Sequence, residues 1–171
     1  AGPDFWDGTP VNYSTDATQS FMGSRAVLVD GNSTVSQRIN IGPSRFYTIS
    51  FYGKRSTSAA VTAGARIEVF KISGNQFAAT DVGSYFTTCT KGGGLDSNEL
   101  DLHFDAPLDS SNTPQYARGS CVFSSPADAV AVRIKMYGGA GNAAAWIDGV
   151  QVEENEFMTD YADGYGGPGA N

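Results

Sequence analysis

The stretch WIDGVQVEENEFMTDY, Trp146 to Tyr161, reads as a last β-strand that runs out into an acidic, solvated tail. Side chains alternate between the two faces of a regular strand, so Ile147 and Val150 would fall on opposite faces. One extra residue on this strand would return both to the same face, and Asp148-Gly149 is suited to such a β-bulge. The expectation is therefore a strand over 144–152, bulged at Asp148-Gly149, with its apolar side packed and its other side wet.

Working outward, the same period of two recurs. Val130, Val132, Ile134 and Met136 alternate with Ala131, Arg133, Lys135 and Tyr137. Tyr47, Ile49 and Phe51 alternate with Thr48, Ser50 and Tyr52, and Ile67 and Val69 with Arg66, Glu68 and Phe70. In each run the first set is assigned to the core and the second to the outer face. Further strands are expected over 25–29, 34–41, 84–89, 100–104 and 116–123, separated by turn chemistry such as Asp30-Gly31-Asn32 and Gly42-Pro43-Ser44. Twenty-one Gly and seven Pro fit many short strands joined by turns, and little reads as helix. A chain of 171 residues suits a single domain, 1–171, able to bury a core without metal. The segment 74–114, with KGGGLDSNE and APLDSSNTP, is read as an inserted hairpin or long loop, a kind of element that tends to carry function.

Together with RFYTISFYGK (Arg45 to Lys54) and SCVFSSPADAVAVRIKMY (Ser120 to Tyr137), the terminal stretch resembles jelly-roll carbohydrate-binding modules of the families four, nine, sixteen and twenty-two type. Its VQVEENEFMTDY ending is similar to the variant found on bacteriophage tail and capsid surface proteins. The resemblance implies an all-β, two-sheet antiparallel jelly-roll β-sandwich, galactose-binding-like, of about 8–11 strands. It also implies that the strands over 46–54 and 129–137 share a sheet, which would bring Tyr52, Arg133, Lys135 and Tyr137 to one glycan-binding face. The two cations would suit a glycan bearing carboxylates or sulfates; the bland alternative is a solvated face covered by amphipathic side chains. Tyr116 stands where many such modules carry Trp. The resemblance further implies one structural Ca2+, with Asp148 and Asp7 of DFWDG as metal ligands. Calcium takes about six to eight oxygens, so the fold would have to assemble the rest. Without a metal, Asp148 would cap the bulge and Asp7 would begin a turn with Gly8.

The net charge of −7 repels a phosphate backbone and argues against nucleic acid as a partner. No segment reaches the roughly 20 apolar residues of a membrane-spanning helix. The single histidine, His103, lies in a period-two run, and no serine sits in a nucleophile motif, so the chain is read as non-enzymatic. Cys89 and Cys121 lie in strand-like runs: they form one disulfide if those strands are neighbours, and otherwise are two small buried hydrophobes. Trp6 and Phe5 would pin the first strand or, if exposed, grip a neighbouring subunit.

Two functions follow. The first is a structural module on a phage virion surface, decorating the capsid or associated with the tail, and able to hold host glycans. Its partners would be other virion subunits or copies of itself, as in a homotrimer, with Phe21, Met22, Phe157 and Met158 as candidate contacts. The alternative is a carbohydrate-binding module of a secreted polysaccharide-degrading enzyme, extracellular and with polysaccharide as its partner.

Overall fold

Period two in the sequence becomes two stacked antiparallel sheets in the computed structural model. The structure describes residues 7–9, 12–13, 17–21, 26–30, 34–59, 62–78, 86–89, 94–96, 99–138 and 144–160; of 9, 12–13, 17, 34, 62, 86–89, 94–96 and 99–105 the backbone alone is described. Phe5, Trp6, Met22 and the tail 161–171 lie outside the described residues.

In chain order the strands are β1 (Asp7–Thr9), β2 (Asn12–Tyr13), β3 (Val27–Asp30), β4 (Thr34–Asn40), β5 (Phe46–Arg55) and β6 (Thr62–Lys71). They continue with β7 (Phe86–Cys89), β8 (Gly94–Asp96), β9 (Glu99–Asp105), β10 (Ala117–Ser124), β11 (Ala129–Tyr137) and β12 (Ala144–Glu153). A short 3-10 turn spans Ala17–Gln19. The front sheet runs β2-β3-β12-β5-β10-β7 and the back sheet β1-β4-β11-β6-β9-β8. Consecutive strands such as β5 and β6, or β11 and β12, lie in opposite sheets, as a jelly roll requires. Among the described residues no helix is long and apolar enough to cross a membrane.

The three strongest alternating runs are β5, β6 and β11. Their core sets meet between the sheets: Tyr47, Ile49 and Phe51 face Ile67, Val69, Val132, Ile134 and Met136, all buried; Val130, expected with them, is only half-buried, because the register of β11 on β6 shifts between Ala129 and Ala131 and Ala129 joins the core instead. Cys121, Phe123, Ala145 and Ile147 complete the layer, and the Tyr47 and Phe123 rings stack with centroids 5.5 Å apart. The bulge is present in β12. Its register on β5 shifts between Asp148 and Gln151, and Gly149 takes a φ of 55°, where a side chain is disfavoured. Beyond the bulge, Val150 and Val152 pack against the core.

Gly138 ends β11 against β3. A Cβ there would lie 2.0 Å from the Val29 carbonyl oxygen, so the backbones approach as closely as only glycine allows. The strands β1, β2 and β8 were not expected, being too short to display a period. The segment 74–114 contributes β7 to the edge of the front sheet and a β8–β9 hairpin to the edge of the back sheet. The pairing of β10 with β7 sets Cys121 opposite Cys89, and Cys121 is disulfide-bonded.

Candidate functional site

The outer face of the front sheet gathers polar and aromatic side chains because β12, β5 and β10 are its central strands and their core sets point inward. Across these strands Asp148 pairs with Tyr52 and Tyr52 with Arg118; one step along, Gln151 pairs with Ser50 and Ser50 with Ser120. Thr48 and Ser50 point outward in this alternation yet are fully buried, because the chain itself crosses the face in two places.

The first crossing is the 17–21 segment. Lys54 Nζ donates to the Thr18 carbonyl (3.2 Å), the Tyr116 hydroxyl to the Gln19 carbonyl (2.5 Å), and the Phe21 N–H to Asp148 Oδ2 (2.8 Å). These bonds lay the Phe21 ring on Tyr52, stacked at 3.7 Å with an interplanar angle of 17°, and edge-on to Tyr116 at 5.5 Å. Phe21 keeps 42% of its surface exposed. The second crossing follows β12. Arg118 Nη1 donates to the Thr159 carbonyl (2.6 Å), the Thr159 N–H to Glu153 Oε2 (3.2 Å), and Thr48 Oγ1 to the Asn155 carbonyl (3.0 Å). Between the two crossings the Arg118 guanidinium lies 5.2 Å from the Tyr52 ring centroid and donates to Ser50 Oγ (2.9 Å), with Gln151 Oε1 at 3.4 Å.

The result is an aromatic cluster of Phe21, Tyr52 and Tyr116 ringed by Lys54, Arg118, Gln151 and Asp148. Burial, and then the Asp148 charge, push the Tyr116 phenol well above the usual tyrosine range, so it stays protonated and acts as a donor. Beside Tyr116 opens a cavity of about 450 Å³ whose walls include Thr18, Gln19, Lys54, Arg55 and Gln115. Aromatic faces with planar hydrogen-bonding groups around them suit the apolar faces and hydroxyls of sugar rings.

Of the residues expected to form one glycan face, only Tyr52 is here. Arg133, Lys135 and Tyr137 lie on β11, in the back sheet, and their expected union with Tyr52 is corrected. Alternation decides which side of a strand faces out but not which sheet the strand joins: β5 is flanked by β12 and β10, β11 by β4 and β6. On the back face, Glu68 binds Arg133 Nε and Lys135 Nζ (3.0 Å). Arg38 and Arg133 lie over Phe70 at 4.5 and 5.4 Å, and Arg66 lies 4.9 Å from the Tyr137 ring. The Tyr137 ring covers Gly64, where a Cβ would come within 2.2 Å of it. Phe21, Arg118 and Gln151 were missed as site residues. The parity of Cys121 and Phe123 already points Arg118 outward, but nothing in the sequence places Phe21 on Tyr52.

Asp7 lies in β1 at one edge of the back sheet, and Asp148 in a central strand of the front sheet. Asp148 Oδ2 accepts the Phe21 N–H and Oδ1 the Gly149 N–H (2.7 Å), so its carboxylate ties the bulge to the 17–21 segment. Among the described residues no group of three or more His, Cys, Asp or Glu gathers that could hold a metal ion. Asp7 and Asp148 lie in different sheets, and a calcium ion held by them stands as a proposal. Asp148→Asn should cost about 1–2 kcal/mol whether calcium or a chelator is present, since it weakens charge-assisted bonds to two amides. Melting curves in both conditions check this; a calcium-dependent gain that the variant loses would instead make Asp148 a ligand.

At the level of sequence, no family model matches the chain and no curated protein matches it. Solved structures do match. The C-terminal family 22 carbohydrate-binding module of Clostridium thermocellum xylanase 10B superposes with a TM-score of 0.59 at 12% identity, over 92% of this chain and 91% of that one. The fold is that of a jelly-roll carbohydrate-binding module. A family 61 module in complex with β-1,4-galactotriose matches with a TM-score of 0.51 at 12% identity, over 88% of this chain and 87% of that one. The enzymatically active domain of bacteriophage CBA120 tailspike protein 4 matches with a TM-score of 0.54 at 16% identity, over 87% of this chain. The module spans 19% of that tailspike chain. At these identities the likeness is one of fold.

Proposed function

We propose that the module binds a glycan on the outer face of its front sheet and catalyses nothing itself. The observation that carries this is the Phe21–Tyr52–Tyr116 cluster: an exposed ring, held from behind by a second ring, with Arg118, Gln151 and Lys54 placed around it. Phe21 extends the platform outward, so a sugar ring meets its exposed face while the flanking amide and cations bond the hydroxyls. The matched modules support the reading, among them one joined to a family 10 glycoside hydrolase and complexed with xylohexaose.

Phe21→Ala removes the exposed ring and Tyr52→Ala its support. Each should weaken retention in affinity electrophoresis on soluble polysaccharides by at least about tenfold, the loss of one stacked aromatic contact. Unchanged retention in both variants would sink the proposed face.

Two settings suit such a module. The match to the phage tailspike supports a place on a virion surface, in tail or capsid, with other virion subunits or copies of itself as partners. Exposed Phe157 and Met158 offer apolar contact area for that role. The matches to modules of xylanases support the alternative, a secreted polysaccharide-degrading enzyme. Light scattering at several concentrations separates them: a stable trimer favours the virion, a monomer throughout the enzyme-borne module.

A further inference from the structure

We infer that Thr159, clamped by Glu153, is a positioning residue of the glycan face: it fixes Arg118 and Gln151 beside Tyr52, so the segment after β12 sets how tightly that face binds. The inference rests on the glycan reading of the front sheet and names how that site is kept in shape. Arg118 and Gln151 are long side chains with many rotamers, and ordering them only when a ligand arrives would cost the site affinity. The bonds to Thr159 order them beforehand.

Arg118 Nη1 donates to the Thr159 carbonyl (2.6 Å), the shortest of its bonds, while Nη2 donates to Ser50 Oγ (2.9 Å) with Gln151 Oε1 at 3.4 Å. Its Nε is buried with no hydrogen-bond partner among the described residues. Without the Thr159 carbonyl the Nη1 side of the fork has no acceptor, and the guanidinium is free to leave its place 5.2 Å from the Tyr52 ring centroid. Gln151 is held at both ends of its amide, since Oε1 faces Arg118 and Nε2 donates to Thr159 Oγ1 (3.4 Å). Thr159 is exposed and outside any strand, and Glu153 holds it in place. Oε2 of Glu153 accepts the Thr159 N–H (3.2 Å) and Oε1 accepts the Thr159 hydroxyl. Glu153 belongs to β12, paired with Thr48 of β5, and Thr48 Oγ1 pins the same segment nearer its start through the Asn155 carbonyl. The clamp bonds between Glu153 and Thr159 are exposed, so their loss should move binding more than stability.

The test uses the full chain in affinity electrophoresis on soluble xylan, β-1,4-galactan, alginate and a bacterial capsular polysaccharide, with the best-retained polymer carried on to the variants. Glu153→Ala should weaken retention about three- to tenfold, the scale of a lost hydrogen bond, with the melting temperature within about 2 °C of the unaltered chain. Glu153→Gln, whose amide oxygen can still accept the Thr159 N–H, should keep most of the retention. In a chain already carrying Arg118→Ala and Gln151→Ala, where Phe21 and Tyr52 remain to hold the polymer, Glu153→Ala should weaken retention no further, because its effect runs through those two side chains. Full retention by Glu153→Ala, an equal loss in Glu153→Gln, a loss that tracks a fall in melting temperature, or a loss undiminished in the doubly substituted chain overturns the inference while leaving the glycan face standing. Retention of none of the polymers by the unaltered chain overturns both.

Discussion

A Phe51→Ala variant is expected to lose about 3–5 kcal/mol of stability, the usual cost of emptying a buried phenylalanine site. For a domain of this size that is a fall in melting temperature of roughly 6–20 °C. Phe51 is fully buried between the sheets, among side chains from both, so little can collapse into the space it leaves. Tyr52→Ala, one residue along β5, points the other way and should behave oppositely: a modest change in melting temperature and a large loss of glycan retention. Thermal melts and affinity electrophoresis on the two variants check the pair. If Tyr52→Ala melted as low as Phe51→Ala, or Phe51→Ala lost retention while still folded, the assignment of the two faces of β5 would be wrong.

Reduction should have an effect of similar size. Cys121 is disulfide-bonded, Cys89 is the chain's one other cysteine, and the two are Cα partners across β10 and β7. Cross-linking the loop from 89 to 121 restricts the unfolded chain by about 3–4 kcal/mol. It also fastens β7, which among the described residues stands at the edge of the front sheet against β10. Thiol titration in denaturant should find no free cysteine in the oxidised protein, and a reducing agent should lower the urea midpoint accordingly. Two titratable thiols, or a midpoint indifferent to reduction, would leave β7 held by its hydrogen bonds alone.

Much of the fold was legible because alternation is a local signal. Val132, Ile134 and Met136 announce their face within a single strand, and the misfit of Ile147 with Val150 announces the bulge that Gly149 makes. Sheet membership is not local. Nothing within β5 or β11 tells which strand will pair with it, so Tyr52 was joined to Arg133, Lys135 and Tyr137 when the sandwich sets them on opposite sides. The site was less legible still, because its exposed ring comes from outside any strand. Phe21 reaches Tyr52 only through bonds made by Lys54, Tyr116 and Asp148, residues far apart in sequence. Asp148 drew attention as an acid at a position that resembles a calcium ligand, and in the structure it holds two backbone amides.

The most direct measurement is a titration of the isotopically labelled protein with an oligosaccharide of the best-retained polymer, followed by amide chemical shifts. Shifts confined to Phe21, Tyr52, Lys54, Tyr116, Arg118 and Gln151 are expected, with the back sheet unmoved. Shifts centred on Arg133, Lys135 and Tyr137 instead would contradict a glycan site on the front face.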